Sequence, residues 1–179
     1  MSELRFYAII PTSREWWNRV LSNASKSIFH FPPNKKPRVM DLSEGDICFV
    51  YVYDDGCIAG YFRVKEVKEL SADEFQDIKS RAVEVPQAPF PVGNQKCRII
   101  EFHRETLKKF KNPIPISIVE EITLFMTRRP LGPRFTRKYD VAKHPELFSL
   151  MMLLGSLDIT EISLNYTKDR KELTIKIKL

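Results

Sequence analysis

Residues 45–64 constrain the fold of this chain more than any other segment does. Two runs rich in Val, Ile, Phe and Tyr flank the dipeptide Asp55-Gly56, and both have the composition of β-strands. An Asp-Gly dipeptide favours a tight hairpin turn because both of its residues tolerate positive φ. Gly45-Asp46 at the start and Gly60 inside the second run favour a curved sheet. The segment therefore predicts a β-hairpin within a small, curved barrel.

Composition limits the class of protein. The chain has 179 residues, of which 43% are hydrophobic and 29% charged, which predicts one soluble globular domain, with or without a short appendage. No apolar run approaches the roughly 20 residues that span a membrane, and the first residues lead into a strand rather than a signal peptide. Cys48, Cys57 and Cys97 lack metal-site or redox spacing. We expect buried thiols in a cytoplasmic protein without membrane contact.

Turn and cap signals divide the rest of the chain into short elements. A strand over residues 4–10 precedes a capping box, Thr12 to Glu15, which predicts a helix. Residues 27–37 are predicted as an aromatic loop, and a second capping box opens a short helix at residues 71–74. Residues 118–125 fit either a helix or a strand, and residues 159–179 predict a final hairpin. The order indicates an α+β fold: a small, mostly antiparallel barrel with flanking helices and a C-terminal hairpin.

A basic segment lies near the end of the chain. The formal net charge is +6, and most of the excess falls within residues 105–179. Arginine attracts phosphate by Coulomb force and by forked hydrogen bonds. The segment is either a phosphate-binding surface or a solvated loop without a partner. The candidate phosphate-binding residues are Arg128, Arg129, Arg134, Arg137 and Lys138.

An enzymatic alternative comes from an acidic pair followed by Glu-x-Lys. The spacing of Asp55, Glu66 and Lys68 resembles the signature of Mg²⁺-dependent nucleases, in which carboxylates hold the metal and the lysine helps to activate water. The competing interpretation is that Asp55 shapes the turn and that Glu66 and Lys68 lie on the solvent face of a strand. We favour the second, because short motifs of this kind are common by chance. The predicted protein therefore has no catalysis of its own, no cofactor and no metal.

The chain resembles the EVE domain and, more distantly, the related YTH domain, both of which are PUA-like barrels. The resemblance covers residues 4–155 and is carried by residues 6–11 (FYAIIP), 42–51 (LSEGDICFVY) and 58–64 (IAGYFRV). It implies a nucleic-acid-binding domain over residues 1–155, with residues 156–179 as a hairpin extension. It also implies a reader that holds a flipped, modified base of DNA or RNA in an aromatic cage. Related domains target modification-dependent restriction, which implies a motor or nuclease subunit as a further partner.

The same resemblance implies where the base would bind. In YTH-like domains the end of the first strand lines the pocket, and one cage aromatic precedes the Gly-Asp strand while a second precedes the next long strand. Of two adjacent tryptophans, one is expected in the core, and Trp17 is the candidate for the edge of the pocket. The implied base-binding residues are Pro11, Thr12, Ser13, Trp17, Phe29, His30 and Phe90.

Each of these positions has a structural alternative. Thr12 is also the predicted helix cap, and Phe29 and Phe90 could instead attach their loops to the core. Phenylalanine stands where YTH domains have tryptophan, so the modification stays open. A PUA-like protein that binds an RNA stem or loop without modified-base specificity is the remaining alternative. A deep aromatic pocket would favour the base reader, and a flat basic face would favour the stem binder.

Overall fold

A seven-stranded sheet forms the centre of the protein. The computed structural model describes residues 4–128, 137–169 and 172–179. The strands of the sheet are β1 (Phe6–Thr12), β2 (Ile28–His30), β3 (Ile47–Val52), β4 (Cys57–Ser71), β5 (Lys96–Phe102), β6 (Lys108–Pro115) and β7 (Arg137–Asp140). They follow the order β2-β5-β4-β3-β1-β7, and β6 pairs with β4 outside this path. Among the described strands β1 and β3 pair in parallel, and the other pairs are antiparallel.

Helices and a separate hairpin flank this sheet. The α-helices are α1 (Arg14–Ser22), α2 (Ala72–Gln76), α3 (Ile116–Thr127) and α4 (Pro145–Ser156), and the hairpin consists of β8 (Glu161–Tyr166) and β9 (Leu173–Lys178). The predicted α+β fold with a mostly antiparallel sheet is therefore confirmed. The sheet is not closed, because β2 and β7 end it in the described part of the chain, so the closed barrel stays a prediction. The segment predicted as a loop over residues 27–37 contains β2, and residues 118–125 are helical.

The long strand β4 joins the two halves of the sheet. Its first part pairs with β3 and β6, and its second part, from Val64 onward, pairs with β5. The pairing register shifts near Gly60 and between Val64 and Glu66, and such irregularities bend and twist a strand. Gly60 also permits a close approach, since a Cβ there would overlap the Lys108 carbonyl oxygen and lie 2.9 Å from Cη2 of Trp17. The predicted curvature at Gly60 is present.

Hydrophobic side chains bury both faces of the sheet. One cluster packs α1, Phe29 of β2 and the following Phe31 against β1, β3 and β4. A second cluster packs α3, α4 and the β8–β9 hairpin against the opposite face. A smaller cluster surrounds Phe75 of α2. Within the described residues, no helix combines the length and the apolar character needed to cross a bilayer.

The carboxylate of Asp46 ties the beginning of β1 to the beginning of β3. Asp46 is fully buried, and its Oδ1 accepts hydrogen bonds from the backbone N–H groups of Arg5 and Phe6, each at 3.0 Å. Its Oδ2 accepts from Ser43 N at 2.9 Å, and its backbone oxygen accepts from Val64 N at 2.8 Å. A buried charge is tolerated where several donors satisfy it. Asp46 therefore aligns three segments that are distant in sequence.

Asp46→Asn is expected to lower the free energy of unfolding by about 2–3 kcal/mol. An amide NH₂ cannot accept a hydrogen bond, so at least one of the buried backbone N–H groups would lose its acceptor. Urea denaturation followed by circular dichroism measures the change. Asp77→Asn, at an exposed position after α2, is the control and should change stability by less than about 0.5 kcal/mol. Equal effects of the two substitutions would contradict the alignment role.

Gly60→Ala is expected to destabilise the protein by about 3 kcal/mol, because the methyl group would overlap the backbone of β6 and crowd Trp17. Gly93→Ala is the matched control. Gly93 has φ +57° and open space around it, so alanine there meets only backbone strain of about 1 kcal/mol. Thermal and urea unfolding would show whether Gly60→Ala lowers stability more than Gly93→Ala does. A milder effect at Gly60 than at Gly93 would refute the close approach.

Candidate functional site

A pocket of about 470 Å³ opens where β1 ends and α1 begins. Its size lies within the range of about 300–1,000 Å³ typical of small-molecule sites. Four segments form it: the end of β1 with the start of α1, the turn after β3, β2 with the loop that follows it, and residues 85–88. Apolar and aromatic side chains make up most of the wall. The predicted residues that line it are Pro11, Thr12, Ser13, Phe29 and His30.

The parallel pairing of β1 with β3 explains why the pocket forms at this edge. Pro11 lies opposite Tyr51, and Thr12 opposite Val52. Parallel strands end at the same side of a sheet, so the segments that follow them meet there. The Thr12 carbonyl accepts a hydrogen bond from Tyr53 N at 3.1 Å, which holds the two strand ends together. Tyr51 and Tyr53 consequently enter the pocket wall.

The start of α1 is capped from two sides. Ser13 is the N-cap, and its Oγ accepts a hydrogen bond from Trp16 N at 3.1 Å. The predicted capping box at Thr12 is therefore wrong by one residue. Asp54 Oδ2 accepts from Arg14 N at 2.7 Å, so a carboxylate from the hairpin turn already faces this helix end. Thr12 does not cap the helix and is instead a buried residue of the pocket wall.

Three aromatic rings stand edge to face along one side of the pocket. The ring centroids of Trp16 and Phe29 are 5.1 Å apart at 82°, and those of Phe29 and Phe31 are 5.0 Å apart at 85°. Such T-shaped pairs are favourable because a positive ring edge meets a negative ring face. The rings hold each other in fixed orientations. The three rings therefore form a continuous aromatic wall.

Two of the predicted residues lie elsewhere. Trp17 packs in the core beside Gly60, and Trp16 occupies the pocket wall in its place. Phe90 lies outside the lining and packs on His30 and Phe75, with centroid distances of 5.3 Å and 5.0 Å. Phe90 supports β2 from behind, as the alternative interpretation of that residue expected.

Two buried polar atoms belong to lining residues and have no hydrogen-bond partner among the described residues. They are Trp16 Nε1 and His30 Nδ1. His30 Nε2 lies 2.9 Å from the Ala88 carbonyl oxygen, which only accepts, so Nε2 carries the hydrogen and donates. Burial lowers the pKa of His30. The neutral imidazole then leaves Nδ1 as an acceptor, while Trp16 Nε1 is a donor. Unpaired buried polar groups of this kind are rare in folded proteins.

Lysines and tyrosines missed by the sequence analysis complete the pocket. Lys35 and Lys36 are exposed and line it, together with Tyr51 and Tyr53. The Lys35-Lys36 pair inside the aromatic loop was a usable signal, because cations beside aromatic residues are typical of nucleic-acid sites. No local signal could have found Tyr53, since its place depends on the parallel pairing.

The predicted phosphate-binding residues are only partly described. Arg128 is exposed at the end of α3, where its φ of +54° ends the helix in a left-handed conformation. Arg129 and Arg134 lie outside the described residues. The backbones of Arg137 and Lys138 pair with Ile9 and Ala8, and their side chains lie outside the described part. Their phosphate-binding role stays a prediction.

The residues of the nuclease alternative are held apart. Asp55 forms an ion pair with Arg14, and Glu66 pairs with Lys68 at 2.7 Å. Asp55 precedes β4, whereas Glu66 lies about 30 Å of strand further along. Over residues 4–128, 137–169 and 172–179, no three His, Cys, Asp or Glu residues form a group that could hold a metal ion. The structure therefore does not assemble this site.

Comparisons with known proteins identify the fold. No family model matches the chain. No curated protein matches it either. The crystal structure of ASCH from Zymomonas mobilis is similar with a TM-score of 0.57 at 13% identity, covering 80% of this chain and 94% of that one. Rpa0253 from Rhodopseudomonas palustris gives a TM-score of 0.51 at 13% identity, covering 83% and 94%.

At such identities the likeness concerns the fold. The fold of the chain is similar to that of the ASCH structures. This likeness supports the PUA-like fold implied by the sequence. The specific assignment to the EVE domain stays a prediction.

The stability of the protein should decrease between about pH 7.5 and about pH 5.5, in part through His30. Burial lowers the pKa of His30 in the folded state, so the unfolded chain takes up this proton first as the pH falls through about 6.5. His30→Gln should reduce the decrease, whereas His144→Gln, outside the pocket, should leave most of it. Urea denaturation at both pH values measures the difference, and an unchanged pH dependence in His30→Gln would contradict the buried neutral state.

Proposed function

We propose that this chain is a nucleic-acid-binding domain that holds one flipped, modified base in the pocket at the end of β1. The observation that carries the proposal is the aromatic pocket with two unpaired polar atoms at its lining residues. A flipped base loses stacking worth a few kcal/mol, which the pocket must replace. Tyr53, which is 38% exposed, and the half-buried Tyr51 offer ring surface for this, while Trp16, Phe29 and Phe31 pack behind them as the buried part of the wall.

Hydrogen bonding can select the base. Every nucleobase has an edge with both donors and acceptors. Trp16 Nε1 is a donor and His30 Nδ1 an acceptor on two lining residues, and both atoms are buried beneath the pocket surface, so a base would reach them only if the lining side chains shift. A methyl group on the base would add about 0.8 kcal/mol if it is buried against the rings. The pocket favours a base reader over a flat stem-binding surface.

The exposed lysines at the pocket supply attraction to the nucleic-acid backbone. Lys35 and Lys36 line the pocket beside Pro37, and the formal net charge of the chain is +6. Neutralising phosphates releases counterions, so the affinity should fall as salt rises. The proposed binding is non-catalytic. The targeting of a motor or nuclease subunit remains a prediction from the resemblance.

Binding to single-stranded DNA and RNA oligonucleotides that differ only in one base modification tests the proposal. We expect a preference for one modified base, and an increase of about tenfold in Kd for Tyr53→Ala, because stacking on an aromatic ring is worth about 1–3 kcal/mol. Tyr53 lines the pocket and is 38% exposed. Tyr166→Ala is the matched control, since Tyr166 is equally exposed on the C-terminal hairpin.

The outcomes separate the alternatives. Equal binding of modified and unmodified oligonucleotides, with loss in Tyr53→Ala, would favour a PUA-like RNA-binding protein without modified-base specificity. Equal effects of Tyr53→Ala and Tyr166→Ala, or no binding to any oligonucleotide, would refute the base pocket.

A further inference from the structure

A second depression, of about 280 Å³, adjoins the aromatic pocket. The two share Lys35 and Lys36. Besides these two lysines, the residues that line the second depression are Asn34, Glu69, Lys96 and Arg98. Four cations thus surround a small space with one carboxylate. This charge excess suits an anion.

The lysine loop is held in place against β5. Asn34 has φ +61°, a left-handed conformation that asparagine tolerates better than most residues. Its N–H donates to the Lys96 carbonyl at 2.8 Å, and Lys96 N donates to Asn34 Oδ1 at 3.2 Å. Phe31 N also donates to the Arg98 carbonyl at 2.9 Å. The cations of the loop and of β5 therefore face a common space through fixed backbone positions.

Glu69 already engages part of this cationic group. Glu69 lies opposite Arg98 in the β4–β5 ladder, and Arg98 Nε donates to Glu69 Oε2 at 2.8 Å. Lys96 Nζ lies 3.5 Å from Glu69 Oε1. The hydrogen bond from Arg98 lowers the pKa of Glu69, so the carboxylate is ionised at neutral pH. Carboxylate and phosphate accept the same forked hydrogen bonds from arginine.

We propose that the second depression binds a phosphate group of the strand whose base enters the pocket, and that Glu69 competes with this phosphate for Arg98 and Lys96. The inference rests on the proposed function. Lys35 and Lys36 border both spaces, so a strand with its base in the pocket passes directly by the second depression. Glu69 acts as an internal counter-ion that limits non-specific backbone binding.

Glu69→Gln tests this inference, with Glu66→Gln as the matched control. Both remove one negative charge from β4, but Glu66 pairs with Lys68 outside both spaces. Fluorescence anisotropy with a single-stranded oligonucleotide of about 12 residues gives Kd against salt concentration. Glu69→Gln should bind about fivefold more tightly. Its slope of log K against log salt should steepen by about 0.7 for each cation that gains a phosphate. Glu66→Gln should change Kd by less than about twofold.

The converse variants strengthen the test. Arg98→Gln should weaken binding and flatten the salt slope by about 0.7, whereas Lys68→Gln should have little effect. Equal behaviour of Glu69→Gln and Glu66→Gln, together with loss of binding in Tyr53→Ala, would overturn the role of Glu69 and leave the base pocket standing.

A second arm distinguishes a strand phosphate from a free anion. Inorganic phosphate is titrated into the protein while the amide signals of Lys35, Lys36 and Arg98 are followed by NMR. Weak shifts with phosphate, and much larger shifts with the oligonucleotide, would support the strand phosphate. Saturation by inorganic phosphate without oligonucleotide binding would overturn both the strand source and the proposed function, and would leave a free-anion site.

Discussion

The buried carboxylate of Asp46 is the interaction on which the rest of the structure depends. Parallel strands cannot be joined by a tight turn, so β1 and β3 are far apart in sequence and nothing local sets their register. Asp46 sets it, because a single side chain accepts backbone hydrogen bonds from Arg5 and Phe6 at the start of β1 and from Ser43 ahead of β3. The alignment then extends along both strands to Thr12 and Tyr53, whose backbones meet at the opposite end.

The pocket forms because β1 and β3 are aligned in this way and because the turn between β3 and β4 binds the start of α1. Asp54 and Asp55 bind the start of α1 through Arg14, which holds the helix against the turn. These carboxylates therefore stabilise the position of α1, in which Trp16 packs beside Phe29. The same contacts satisfy the helix end internally, so the proposed base would meet the aromatic wall of the pocket rather than the N-terminus of α1.

Local signals predicted the parts of the fold that depend on local chemistry. The hairpin turn at Gly56, which has φ +61°, follows from the backbone freedom of glycine, although the positive φ expected at Asp55 is not observed. Gly60 is instead required by the close approach of the Lys108 carbonyl and Trp17. The sequence does not show which of the two adjacent tryptophans, Trp16 or Trp17, lines the pocket. Both are buried, Trp17 against Gly60 and Trp16 in the pocket wall, because α1 packs on β4 on one side and borders the pocket on the other. Only the tertiary packing determines which tryptophan faces β4 and which faces the pocket.

Net charge along the sequence is likewise a poor guide to where an anion would bind, because ion pairs remove much of it. Glu101 accepts hydrogen bonds from Lys65 at 2.9 Å and from Arg81 at 2.6 Å, and Glu69 holds Arg98. Lys35 and Lys36 have no ion pair within the described residues, although they lie in a part of the chain with little excess charge. These two uncompensated charges lie beside the aromatic pocket, where a bound base would bring its own phosphates. A single carboxylate, Glu69, then determines how much of the neighbouring positive charge is available to them.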